Sequence, residues 1–142
     1  MRVIHTRQRV FIKDHIFEKK MSLLVWVLSI LKWKEYGYET VLYTDTKTLD
    51  DIKKFGFESL YDIINTDLLK DVKGIDFVCY WAMSKLLALR HEAIELGNDV
   101  VVADQDVVPM ADISRMWTNT DVAGWSNKEH VQLRAVYPTF SE

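Results

Sequence analysis

Short apolar segments alternate with longer amphipathic ones along most of the 142-residue chain. The short segments are rich in β-branched and aromatic residues, which favours strands, and the longer ones repeat apolar residues at helical spacing. Strands that alternate with helices indicate βαβ units. The predicted fold class is therefore α/β, a Rossmann-like three-layer α/β/α arrangement with a mostly parallel sheet. Strands are predicted over residues 2–5, 40–45, 59–64, 100–103 and 121–125, and helices over 21–36, 48–55, 76–96 and 110–117.

The two longest predicted helices differ in how clearly they show a buried face. Residues 21–36 are apolar nearly all round, with Ser22, Ser29 and Lys32 as a narrow polar stripe, and Gly37 follows as a stop signal. The apolar part is well short of the ~20 residues that a membrane-spanning helix needs, so we expect this helix to pack against the sheet. In the other long helix, the spacing predicts a buried face made of Ala82, Leu86, Leu89, Ala93 and Leu96.

Composition limits the classes of function. Hydrophobic residues make up 49% and charged residues 27% of the chain, the balance of an ordinary globular protein. A net charge of −3 leaves no basic surface of the kind that nucleic acids require, so nucleic acid is not an expected partner. The single cysteine, Cys79, excludes an internal disulfide framework and lies among aromatic residues, which favours a buried structural thiol. We expect a cytoplasmic protein with one domain over residues 1–142.

An acidic pair follows the most apolar predicted strand. Residues 100–103 deliver Asp104 and Asp106 to the carboxyl end of that strand. We predict a central strand with parallel neighbours on both sides, and ligands of open α/β sheets bind beyond such ends. Two carboxylates can share a divalent cation whose other ligands are substrate phosphates. In the alternative interpretation, Asp104 ends the strand and Asp106 caps the next turn.

The order of these segments resembles the nucleotide-sugar-binding half of GT-A-fold glycosyltransferases. The similarity covers residues 25–125. It depends on the helix pattern W-A-x-x-K-L-x-A-L over residues 81–89, on the strand and D-x-D over residues 100–106, and on the segment LYTD at residues 42–45. The resemblance implies a metal-dependent glycosyltransferase with a UDP-sugar donor and a glycan or lipid-linked acceptor.

The resemblance also implies roles for individual residues. Asp106 matches the residue in direct contact with Mn²⁺ or Mg²⁺, and Asp104 matches one that faces the ribose or the metal. Lys85 matches a basic helix residue that reaches the donor's phosphates or sugar, and the alternative is a solvated lysine paired with nearby acids. Asp45 is placed to bind the base or ribose, and the alternative is an aspartate that caps the loop at Thr48.

This chain departs from the family pattern after the acidic pair. GT-A enzymes carry a second half that builds the acceptor site, and we expect the chain to be truncated after the D-x-D region. Glu129 and His130 are the available candidates for a further ligand or a base, and the alternative for His130 is a solvent-exposed side chain. Without the second half, a sheet edge and apolar surface would stay uncovered. This predicts self-association, with residues 117–137 as the contact region.

Two other classes of function stay open at this point. Haloacid-dehalogenase-type phosphatases also carry a D-x-D after an apolar strand, with the first aspartate as nucleophile, although their motif lies near the N-terminus. The second alternative is a non-catalytic α/β binding or interaction domain, whose five tryptophans and six tyrosines would serve a partner surface. A donor half that binds the nucleotide-sugar without turning it over is a further alternative within the glycosyltransferase interpretation.

Overall fold

The computed structural model describes residues 1–8, 20–70 and 82–114. The chain divides into two compact units, Met1–Ala111 and Asp112–Glu142, and the first contains all the helices and strands described here. The strands are β1 (Arg2–Arg7), β2 (Glu39–Thr44), β3 (Ile63–Asn65) and β4 (Val100–Val102). The helices are α1 (Lys20–Glu35), α2 (Thr46–Phe55) and α3 (Met83–Arg90), with a 3₁₀ turn at Glu58–Leu60 and a π-helical turn at His91–Glu95.

The four strands form one parallel sheet in the order β3-β2-β1-β4. In the register, Ile4 of β1 lies between Val41 of β2 and Val102 of β4. The predicted α/β class with a parallel sheet is therefore confirmed. The predicted central position of β4 is not observed, because within the described residues this strand pairs with β1 alone and ends the sheet.

Each face of the sheet has its own core. On one face, Trp26 and Ile30 of α1 and Ile52 of α2 pack against Leu42. On the other face, Ala88 of α3 packs against the neighbouring side chains of β2 and β1: Val41, Tyr43 and Ile4. Because consecutive residues of a strand point to opposite faces, α1 and α2 cover one face and α3 covers the other. This is the three-layer arrangement expected from the alternating pattern.

The buried face predicted for the second long helix is wrong. Leu86 and Leu96 are 57% and 52% exposed, and the residues that face the sheet are Ser84, Ala88 and Glu92. Small side chains let α3 approach the strands closely. Glu92 is buried because its carboxylate accepts three hydrogen bonds, from the Arg2 guanidinium (2.9 Å), the Tyr43 hydroxyl (2.6 Å) and the Asn98 amide (2.7 Å).

The polar stripe predicted for α1 also needs correction. Ser29 is fully buried and its hydroxyl donates to the carbonyl of Val107 at 2.7 Å, so a polar residue belongs to the inner face. Trp26 and Trp33, seven positions apart, are buried on that face. The outer face carries the exposed apolar side chains Met21, Leu24, Leu28 and Leu31. A helix that is apolar nearly all round does not reveal from spacing which face is buried.

Local hydrogen bonds explain the differences at the element boundaries. Helix α2 begins at Thr46 with Asp45 as N-cap, not at Thr48, and it ends as predicted at Gly56, whose φ of 75° favours glycine. The third strand is shorter than predicted because residues 58–60 form a 3₁₀ turn. Residues 110–113 are not helical, and Asp112 accepts hydrogen bonds from the backbone N–H and the hydroxyl of Ser114. Residues 115–117 of the predicted helix lie outside the described residues.

Several predictions fall outside the described residues. They concern Cys79, the first part of the predicted helix over 76–96, the strand over 121–125, the candidates Glu129 and His130, and the contact region over 117–137. Among the described helices, none has the length and apolar character needed to cross a membrane.

Candidate functional site

The acidic pair lies at the carboxyl edge of the sheet, in a tight turn directly after β4. The backbone N–H of Ala103 donates to the carbonyl of Ile4 at 3.0 Å, which extends the pairing of β4 with β1 by one residue. The Val107 N–H then donates to the Asp104 carbonyl at 3.0 Å, so Gln105 and Asp106 form the corner of a β-turn. Asp106 is exposed at this corner and Gln105 is buried.

Helix α3 supplies the positive charge at this edge. The Lys85 ammonium forms an ion pair with the Asp104 carboxylate, and the two side chains are 22% and 45% exposed. The first turn of α3 is held beside the end of β1, where the Ser84 hydroxyl donates to the Thr6 hydroxyl at 3.3 Å. The described contacts therefore bring together two of the predicted site residues, Lys85 and Asp104.

Asp106 borders helix α1. It lines an open depression of about 280 Å³ together with Met21, Ser22 and Val25 of α1. The hydrogen bond from Ser29 to Val107 fastens the turn to the same helix. Asp104 therefore pairs with a side chain of α3, and Asp106 borders residues of α1.

A buried polar cluster lies close to the acidic pair. The Tyr61 hydroxyl accepts a hydrogen bond from the Trp26 indole at 2.7 Å and lies 2.7 Å from His5 Nδ1. Burial lowers the pKa of His5 to about 4, and the negative charge of Asp104 acts in the opposite direction. His5 is fully buried, and its Nε2 has no hydrogen-bond partner among the residues that the structure describes. Spacing along the chain gives no signal for this cluster, because its members meet only in the folded sheet and its covering layer.

Asp45 has a structural role in this geometry. One of its carboxylate oxygens accepts a hydrogen bond from the Thr48 N–H at 2.7 Å, which is the N-cap interaction of α2. Asp45 follows β2, and Asp104 follows β4, so β1 lies between the two strand ends. Because neighbouring strands lie about 5 Å apart, the ends of β2 and β4 are separated by about 10 Å. The described contacts do not bring Asp45 together with Asp104.

Comparisons with known proteins do not indicate a function for this chain. No protein-family model, curated protein or solved structure matches this chain.

The acidic pair fits a hard divalent cation in ligand type and number. Mg²⁺ in nucleotide sites takes one or two protein carboxylates and completes its coordination with phosphate and water oxygens. Within residues 1–8, 20–70 and 82–114, no three histidine, cysteine, aspartate or glutamate side chains form a metal-binding group. A cation held by Asp104 and Asp106 alone would therefore depend on oxygens from its substrate, as the metal of a diphosphate-binding site does.

Proposed function

We propose that this chain binds a nucleotide-sugar through a divalent cation held by Asp104 and Asp106, and that it is a metal-dependent glycosyltransferase of the GT-A type. The observation that carries the proposal is the ion pair between Lys85 and Asp104 at the carboxyl edge of a parallel sheet, with Asp106 in the same tight turn. That edge is where open α/β sheets bind ligands.

Each of these residues has a distinct task in the proposed reaction. Mn²⁺ or Mg²⁺, when bound, neutralises charge on the diphosphate leaving group. Asp104 and Asp106 supply the anionic oxygens that hold the cation at the edge of the sheet. Lys85 lies close enough to Asp104 to contact a phosphate of the same donor, and its compact ammonium suits a phosphate oxygen.

The remaining parts of the proposal follow from the sequence resemblance. The donor is a UDP-sugar and the acceptor a glycan or a lipid-linked molecule. Asp45 remains a candidate for contact with the base or ribose in addition to its role as the cap of α2. A single cysteine supports a cytoplasmic location, and self-association of the chain stays a prediction.

Thermal unfolding tests the proposal. A ligand that binds only the folded state raises the melting temperature by mass action, so Mn²⁺ with UDP should raise it more than Mn²⁺ or UDP alone. Asp106→Asn keeps the shape of the side chain and removes its charge, and it should abolish the metal-dependent part of the shift. Asp50→Asn, at an exposed position of α2, is the matched control and should keep the full shift.

Thermal unfolding and a trap for an aspartyl-phosphate together separate the alternatives. An equal shift in Asp106→Asn would remove the metal site from the proposal. A phosphoryl group trapped on Asp104 would support the phosphatase alternative, and the absence of both signals would support a non-catalytic binding domain.

A further inference from the structure

Asp104 already has a cationic partner in the structure, and this bears on how a metal would reach it. The ion pair with Lys85 occupies one of the two carboxylate oxygens. The position of Lys85 along the sheet is determined by α3, whose Ser84 and Ala88 are buried against the strands. Only the flexible stem of the lysine allows its charge to move while the helix stays in place.

A divalent cation on Asp104 and the ammonium on the same carboxylate oppose each other. Their charges have the same sign, and at contact distance their repulsion costs about 1–2 kcal/mol even in water, which corresponds to roughly tenfold in affinity. A diphosphate offers the ammonium another anionic partner within reach of the same stem. Transfer of the ammonium to a phosphate removes the repulsion and frees both oxygens of Asp104.

We propose that Lys85 competes with the divalent cation for Asp104, so that this chain binds the cation weakly by itself and binds it tightly only together with a nucleoside diphosphate. This inference rests on the proposed function, because it concerns the same metal and nucleotide. Coupling between two ligands is reciprocal, so the cation strengthens nucleotide binding by the same factor. The consequence is a site that takes up donor and metal together.

Titration of free Mn²⁺ by electron paramagnetic resonance, with the full chain and with or without UDP, tests the inference once the Mn²⁺ bound by the same UDP without protein has been subtracted. In the wild type, we expect UDP to strengthen Mn²⁺ binding by at least about tenfold. Lys85→Met should bind Mn²⁺ without UDP about tenfold more tightly than the wild type. UDP still supplies phosphate oxygens to the metal in this variant, but it should strengthen Mn²⁺ binding by about tenfold less than in the wild type. Lys53→Met removes an exposed lysine of α2 and should behave as the wild type does.

Two further variants make the test specific. Lys85→Arg keeps the charge and adds a fork that can hold both carboxylate oxygens, so it should weaken binding of Mn²⁺ alone. If Lys85→Met does not fold, as judged by circular dichroism, Lys85→Gln carries the same expectation because it also removes the charge.

The outcomes distinguish the inference from the function on which it rests. The competition would be overturned if the variants that remove the charge bound Mn²⁺ alone as weakly as the wild type, or more weakly. If the wild type still bound Mn²⁺ in a UDP-dependent way, the proposed function would stand. Absence of Mn²⁺ binding in every variant with UDP present would overturn both.

Discussion

Lys85 of α3 and Asp104, which follows β4, form an ion pair at the carboxyl edge of the sheet. Both side chains are partly exposed, so solvent screens the pair and its contribution to folding is small. The carboxylate nevertheless lies beside a positive charge that is held by a separate element of the fold. An arrangement that adds little stability and concentrates charge at a sheet edge favours a role in ligand binding.

Asp104→Asn tests this division between stability and binding. Because the pair is partly exposed, we expect the free energy of unfolding to fall by less than about 1 kcal/mol. Urea denaturation with an unchanged m-value would measure the loss. A decrease of several kcal/mol would show that Asp104 has a mainly structural role.

Glu92 is the opposite case, a buried carboxylate that stabilises the fold. Burial by itself would raise the pKa of Glu92, but hydrogen bonds from Tyr43, Arg2 and Asn98 outweigh this effect and hold the pKa below its ordinary value. Glu92→Ala removes the acceptor of the Tyr43 hydroxyl and the Asn98 amide, and one of the two carboxylates that pair with Arg2. We expect a loss of about 3 kcal/mol in urea denaturation. Glu95→Ala, in an exposed pair with His91, is the control and should cost less than about 1 kcal/mol. Similar losses in the two variants would contradict the assigned role of Glu92.

The buried histidine predicts a dependence of stability on pH. The pKa of His5 is about 4 in the folded chain and 6.5 as the reference value, so the unfolded chain binds more protons between these values. Stability is therefore lost as the pH falls through this window, by about 2 kcal/mol at pH 5 and about 3 kcal/mol by pH 4.

The variant His5→Gln separates the contribution of His5 to the pH dependence of stability from those of the other histidines and the carboxylates. We expect the difference in unfolding free energy between the wild type and His5→Gln to shrink by about 2 kcal/mol between pH 7 and pH 5. Urea denaturation at several pH values measures the difference. A difference that does not change with pH would mean that His5 is not held neutral by burial.

The sequence predicted the layers of the fold better than the faces of the helices. Alternating short and long segments are sufficient to indicate a parallel α/β sheet, because a crossover helix must lie between parallel strands. The face of α3 was missed because its inner positions are small or polar. Glu92 is acceptable there only through hydrogen bonds from Asn98, six residues further on, and from Arg2 and Tyr43, which come from distant parts of the chain. Apolar spacing selected Leu86 and Leu96 instead.

The candidate site was likewise only partly predictable. The i, i+2 spacing of Asp104 and Asp106 placed both at one strand end, and the resemblance suggested Lys85. The placement of Asp104 beside Lys85 and of Asp106 beside residues of α1 depends on the turn at Gln105, and His5 meets Tyr61 through contacts between residues far apart in sequence. Local pattern contains no information on such contacts.

Titration calorimetry with UDP tests the central claim most directly, because it measures metal-dependent nucleotide binding without requiring an acceptor. We predict that UDP binds the wild type in the presence of Mn²⁺ and that EDTA removes this binding. Asp106→Asn should lose it, and Asp50→Asn should keep it. Binding of UDP that is equally strong with Mn²⁺ and with EDTA, or that survives in Asp106→Asn, would contradict a metal-dependent donor site at Asp104 and Asp106.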